Sequence, residues 1–429
     1  MSAAETEVVD LCRDLIRIDT SNFGDSSGPG ERAAAEYVAA QLAEVGVEST
    51  ILESERGRAS VVARWGNQDS TRPGLVVHGH LDVVPAQAAD WSVDPFAAEI
   101  VDDYVVGRGA VDMKDFDAIM LAVVRERQRS GRIPDRPILL VFTADEEAGG
   151  QLGAHWLVEH HPEWFEGCTE AIGEVGGFST QVAGQRLYLI ESGEKGIAWL
   201  RLKAAGTAGH GSMRNPDNAV THLARALVNL GEHEWAAEPG PSMQLLLAKV
   251  RELTGTDGTP DELFEHFGPA ARMIGSGLRN STNATMIQGG YKHNVVPGEA
   301  VAYVDGRPLP GHHDGFVERV QQIAGDTVTV EPYHLDIPLE YAFEGDLVDA
   351  MTVSLLKHDP EAHVAPFLMS AGTDAKAWHK LGMTSYGFVP LRLPADLDFT
   401  ALFHGVDERV PIDALRFGTR VFDEFLDLA

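Results

Sequence analysis

Through about residue 190 the chain alternates helical and strand patterns, and no other feature constrains its fold as tightly. "ERAAAEYVAAQLAEVG" (31–46) and "AIMLAVVRERQRSG" (118–131) carry apolar residues at helical spacing, with a glycine near or at the end of each. "SVVARWG", "GLVVHGH" and "PILLVFTAD" are short apolar runs of the kind found in strands buried on both faces. Helices separating such strands predict a largely parallel sheet covered on both sides. At the amino end Val8, Cys12, Leu15 and Ile16 share one helical face, and Ser2 with Glu5 suits a capping box.

The pattern changes near residue 193. "GIAWLRLKA" and "EAVAYVDGR" alternate apolar and polar residues, as strands with one face exposed do, and "NAVTHLARALVNL" (218–230) is helical. Within 232–275 the Gly/Pro/Thr-rich stretch "TGTDGTPDE" reads as a surface excursion. From about 313 the first pattern resumes, with a helix at 345–357, the strand "MTSYGFVPL" and a closing helix from Pro411. At 429 residues the chain exceeds what one core usually supports. The expected arrangement is an α/β domain built from 1–192 and 313–429, interrupted by a smaller α+β domain at 193–312.

The ends of the early strands are chemically unusual. "LVVHGHLDVVPA" finishes in His80 and Asp82, which in an extended chain point to the same side. "GRGAVDMKD" places Asp112 after a Gly-x-Gly turn, "TADEEAGG" holds Glu146 and Glu147, and Glu174 follows "CTEAIG". His404 lies in "LFHGVDERV", before the last helix. Neighbouring strands lie about 4.8 Å apart, so these groups can converge on one cleft. Nitrogen and oxygen donors without thiolate suit zinc or a similar divalent ion, and a carboxylate can touch two ions at once. Of the adjacent pair, one glutamate can bind metal while the other handles a proton.

Composition narrows the partners. The 34 Lys+Arg against 65 Asp+Glu leave a net charge of −31, which repels a phosphate backbone and argues against nucleic acid. Two cysteines, Cys12 and Cys168, are too few for a disulfide framework or a thiolate cluster. No apolar run is long enough to cross a membrane, and the amino end lacks the pattern of a signal peptide, so a cytoplasmic protein is expected.

Eight segments occurring in order, "GHLDVVP", "GRGAVDMK", "TADEEAGG", "GHGS", "GGYKHNVVPG", "DGRPLPG", "GTDA" and "FHGVDERV", resemble the landmarks of one co-catalytic zinc hydrolase family. That family includes acetylornithine deacetylase, succinyl-diaminopimelate desuccinylase, aminoacylase-1 and glutamate carboxypeptidase. The resemblance implies a phosphorylase/hydrolase-like catalytic domain with a mostly parallel mixed sheet and an inserted lid or dimerisation domain. It implies two zinc ions, with cobalt or manganese as substitutes, bridged by Asp112; His80 and Glu174 complete one site, Glu147 and His404 the other. Glu170 is the nearby competitor for Glu174. Asp82 would accept a hydrogen bond from His80, and Glu146 would act as general base and later as acid. His210 would steady an oxyanion, often across a dimer, while Asn283, Arg307 and Gly372 would hold the substrate. A cis peptide after Asp112 is also implied. The chain departs from the family at Asp115-Phe116, where a glycine is common, so helix packing there is expected to differ.

The implied activity is hydrolysis of an amide bond in small N-acyl amino acids or short peptides, of aminoacylase, dipeptidase or carboxypeptidase type, by a homodimer formed through 193–312. A biosynthetic deacylase is the alternative. A silent binding or dimerisation scaffold would have lost ligands or base, yet His80, Asp112, Glu146, Glu147, Glu174 and His404 are all present. Bland roles are expected for His78 in the core, and for Asp145 and Asp407 as turn caps.

Overall fold

The computed structural model describes residues 1–25 and 27–429. Its large sheet is mixed and parallel at its centre, in the order Thr50–Glu55, Arg58–Gly66, Pro137–Thr143, Gly74–His80, Cys168–Gly173, Thr384–Gly387, Gln185–Glu194 and Leu339–Glu340. Strand Gly74–His80 runs parallel to both its neighbours, and it is buried along its whole length. Helices Ala3–Arg17, Lys114–Ser130 and Ile412–Leu428 pack together through residues such as Leu15, Phe116 and Phe422. The first helix starts with the Ser2–Glu5 capping box, and Gly131 ends the helix Lys114–Ser130 in the left-handed conformation that glycine tolerates.

A second, smaller sheet has the order Ser281–Gly289, Glu299–Arg307, Ile197–Ala205, Val328–Asp336, all antiparallel. Helices Ala219–Glu232 and Phe316–Ala324 cover one face over a separate core that includes Leu200, Leu202, Leu223, Val304 and Val320.

Two sequence expectations need correction. The smaller unit does not end at 312, because Val328–Asp336 pairs along Ile197–Ala205 and fills an edge that would otherwise be open. Residues 232–275 do not all belong to the smaller unit either: "TGTDGTPDE" lies at the surface, but the helices on either side of it do not. Helix Pro241–Thr254 lies on strand His363–Met369, and Met243, Leu246, Val250, Leu263 and Phe264 are buried in the core of the large sheet. The apolar spacing of that helix indicates a buried face, but not which core receives it.

Candidate active site

Three adjacent parallel strands deliver most of the site. Gly74–His80, Pro137–Thr143 and Cys168–Gly173 end at the same edge of the sheet, with His80 in register with Thr143. The residues just beyond their ends, Asp82, Glu146, Glu147 and Glu174, therefore meet at one mouth, as ligand sites of open α/β sheets do. Asp112 precedes the helix Lys114–Ser130, and the peptide bond joining it to Met113 is cis. The Glu408 carboxylate shapes the loop that carries Asp112, accepting from the backbone N–H groups of Gly109 (3.1 Å) and Val111 (2.8 Å) and pairing with Arg108.

Asp112 joins the two halves of the cluster. Its Oδ1 lies 3.1 Å from His80 Nε2, and its Oδ2 lies 3.2 Å from His404 Nε2. Glu174 Oε2 is 3.2 Å from His80 Nε2, and Glu147 Oε2 is 3.0 Å from His404 Nε2. Donor atoms on one tetrahedral zinc, with bonds of about 2.0–2.2 Å, sit roughly 3.3–3.6 Å apart, so these spacings are close to those of shared ions. Glu146 Oε2 stands farther off, 3.9 Å from His80 Nε2. Glu170 is engaged elsewhere, with Arg136 at 2.8 Å.

The electrostatics call for positive charge. Burial, followed by the charge of Glu174, pushes the Glu146 carboxyl well above the carboxylate range. Burial and then Asp112 push Glu147 up to about 7. Glu174 is likewise raised by burial, although His80 opposes the shift. Asp112 alone is held low: burial would raise it, but hydrogen bonds from His404 and His80 outweigh that. Crowded, buried carboxylates of this kind are relieved by a cation, and two groups of donor atoms are spaced to hold one: His80 with Glu146 and Glu174, and His80 with Asp112 and Glu147. The oxygen and imidazole donor set fits divalent ions.

The Asp82 carboxylate does not do what was expected of it. His80 Nδ1 bonds to the backbone carbonyl of Asp82 at 2.9 Å, whereas the nearer carboxylate oxygen is 3.7 Å away. The carboxylate instead accepts from the backbone N–H groups of Glu146 and Glu147, each at 3.1 Å. Asp82 thus fixes the turn that presents both glutamates. His78 is buried, packs on Trp378 and is pushed down to about 3 by burial, as a core imidazole would be.

The other expected residues lie outside the cluster. Arg307 forms a two-pronged pair with Asp305 (2.8 and 3.1 Å), on the face of the small sheet that its helices leave uncovered. Asn283 sits opposite Asp305 on the edge strand. His210 is exposed, with Ser212 Oγ 2.9 Å from its Nδ1. Among the described residues, none of the three bonds to the cluster. Gly372 stands two residues before the buried Asp374, which accepts from Thr143 Oγ1 at 2.6 Å. Burial pushes Asp374 up to about 8. Reading the sequence overlooked Asp374 and Glu408, although "GTDA" and "FHGVDERV" contain them. At the Asp115 departure, the helix accommodates a buried carboxylate whose Oδ1 accepts from the N–H of Phe116 at 2.8 Å.

The sequence profile of peptidase family M20/M25/M40 matches residues 76–428. The chain belongs to that family. As an M20-family member it is a hydrolase of amide or peptide bonds. Aminoacylase-1 of Sus scrofa is 26% identical over 434 residues, covering 97% of this chain and 94% of that protein. The M20-family metallo-carboxypeptidase Sso-CP2 of Sulfolobus solfataricus superposes with a TM-score of 0.74 at 19% identity, covering 98% of this chain and 99% of the other. Human carnosine dipeptidase 1 gives 0.68 at 17% identity, with 98% and 96% covered. No helix among the described residues is long and apolar enough to cross a membrane.

Proposed function

We propose that this M20-family hydrolase cleaves small N-acyl amino acids or short peptides, using two zinc ions held by His80, Asp112 and Glu174 on one side and by Asp112, Glu147 and His404 on the other. The observation that carries the reading is the position of Asp112, whose two oxygens face the two histidines at 3.1 and 3.2 Å. When bound, such a pair of ions polarises a carbonyl and makes a water molecule acidic near neutrality.

The chain's own groups supply the rest. Glu146 lies farther from His80 than Asp112 and Glu174 do, at 3.9 Å, and with the ions held by the five side chains named above its carboxylate takes a proton from the attacking water and passes it to the departing nitrogen. Asp82 keeps that carboxylate in place through the backbone of the turn. His210 donates to the developing oxyanion, from its own chain or from a second copy. Arg307 binds the substrate carboxylate with its guanidinium fork, exchanging or sharing Asp305, while Asn283 and the Gly372 loop line the same space. The second copy docks through the smaller unit, whose edge strand Ser281–Gly289 exposes Met286 and Ile287.

The purified protein should be assayed on N-acetyl amino acids, dipeptides and succinyl-diaminopimelate, before and after chelation, with zinc, cobalt or manganese restored. Turnover of the first two classes, lost on chelation and recovered with metal, is expected. Turnover of succinyl-diaminopimelate alone points to a biosynthetic deacylase, and chelator-resistant turnover overturns the metal assignment.

A further inference from the structure

Behind the Glu146–Glu147 turn lies a buried polar chain that the reaction scheme above does not use. Segment 20–22 runs beside 81–83, with Asn22 N–H donating to the Val83 carbonyl (2.9 Å) and Val83 N–H to the Thr20 carbonyl (3.2 Å). This places the Asn22 side chain between two carboxylates. Its amide nitrogen donates to Asp82 Oδ2 at 2.9 Å and to Asp145 Oδ1 at 3.1 Å. Its oxygen accepts from Arg58 Nη2 at 2.8 Å and from the N–H of Gly24 at 3.0 Å. Because only the oxygen can accept, those two donors fix which way the amide points. Arg58 Nη1 is held by Glu31.

Topology explains how Arg58 gets there. Strand Arg58–Gly66 is antiparallel to Pro137–Thr143, so its first residue lies beside the end of that strand, where Asp145 begins the turn. Asn22, Glu31, Arg58, Asp82 and Asp145 are each at most 5% exposed. Asp145 in turn accepts from the N–H of Leu152 at 2.9 Å, closing the far side of the turn. A buried ion pair and amide seldom add stability over apolar side chains of the same volume. What this chain of bonds secures is orientation: Arg58 sets Asn22, Asn22 sets Asp82 and Asp145, and these two hold the turn, Asp82 at the N–H groups of Glu146 and Glu147 and Asp145 at that of Leu152.

We infer that Asn22 and Arg58 are positioning residues for Glu146, acting through Asp82, Asp145 and the backbone of the turn. The inference rests on the reading of Glu146 as the proton-transferring group. A side chain that holds another in reacting geometry controls kcat more than KM, and losing such support typically costs about tenfold to a hundredfold.

The test uses the full chain loaded with zinc, assayed on an N-acetyl amino acid and a dipeptide. Asn22→Ala and Arg58→Lys should each lower kcat by about tenfold to a hundredfold, with KM within about threefold and metal content retained. Made again in a Glu146→Asp background, where the carboxylate is already withdrawn, Asn22→Ala should cost less than about threefold more. Unchanged kcat in both folded variants overturns the proposal, and so does an undiminished loss in the Glu146→Asp background. If both variants lose their cooperative thermal transition, the pair belongs to the core alone and the proposal fails. Full turnover by Glu146→Gln defeats the base assignment instead, so the two failures are told apart.

Discussion

The two sheets of this molecule treat polar groups in opposite ways. At the mouth of the large sheet, Asp82 and Glu174 just beyond strand ends and Asp112 on the loop before Lys114–Ser130 are withdrawn from water and bonded from several sides. In the small sheet, Trp199, Tyr303, Tyr333 and Arg307 stand on a face that the helices leave uncovered, with Trp199 and Tyr303 ring centroids 6.1 and 5.8 Å from that of Tyr333. Groups that must keep their geometry sit where backbone on neighbouring strands constrains them. On the proposed reading, Arg307, which would meet the substrate, sits on the open face.

If that division is real, substitutions in the two places act on different kinetic constants. The largest effect belongs to the strand mouth: Glu146→Gln should lower kcat by about a hundredfold to ten-thousandfold while bound metal, measured by elemental analysis, is unchanged. Arg307→Ala should act mainly on KM, raising it by about ten- to a hundredfold for substrates with a free carboxylate, as loss of a charged hydrogen-bonding partner does. A fall in kcat with constant KM would instead place Arg307 in the chemical step and erase the contrast.

Between the sheets, Lys195 is buried, with its Nζ donating to the Arg279 carbonyl (2.8 Å) and to Ser281 Oγ (3.1 Å). Burial, helped by the charge of Arg307, pushes it down from 10.5 to about 7. The unfolded chain then binds the extra proton between those values, so this residue makes stability rise with pH from about 7 to 10.5. Denaturant unfolding at several pH values should show a shallower rise in Lys195→Met than in the parent; identical slopes contradict the assignment. The smallest effect is structural. Asn218 caps helix Ala219–Glu232 by accepting from the N–H groups of Val220 and Thr221, so Asn218→Ala should cost about 1 kcal/mol in an unfolding titration and leave metal content intact.

The same contrast explains what could be read from the sequence. His80, Glu146, Glu147 and Glu174 stand in short motifs at the ends of apolar runs, where strand spacing lets them converge, while the family resemblance added Asp112 and His404, which stand on loops. The strand character of 328–336 shows in the alternation of Val328 and Val330 with polar neighbours, but its pairing with Ile197–Ala205 is a long-range choice that no local pattern encodes. Helix Pro241–Thr254 was missed as a core element for a similar reason. The family resemblance implies that the Asp82 carboxylate accepts from His80, two residues away. The backbone amides of the glutamate turn, more than 60 residues away, compete for it successfully. Asn22 and Arg58 gave no signal, since one sits in a polar segment and the other opens an ordinary strand.

The central claim is that one aspartate is shared by two ions at the mouth of the large sheet. Anomalous diffraction from crystals of the zinc-loaded protein tests it most directly. Two peaks per chain are expected, about 3.5–4 Å apart, both in contact with Asp112, one beside His80 and the other beside His404. A single peak, or two peaks that do not share Asp112, contradicts it.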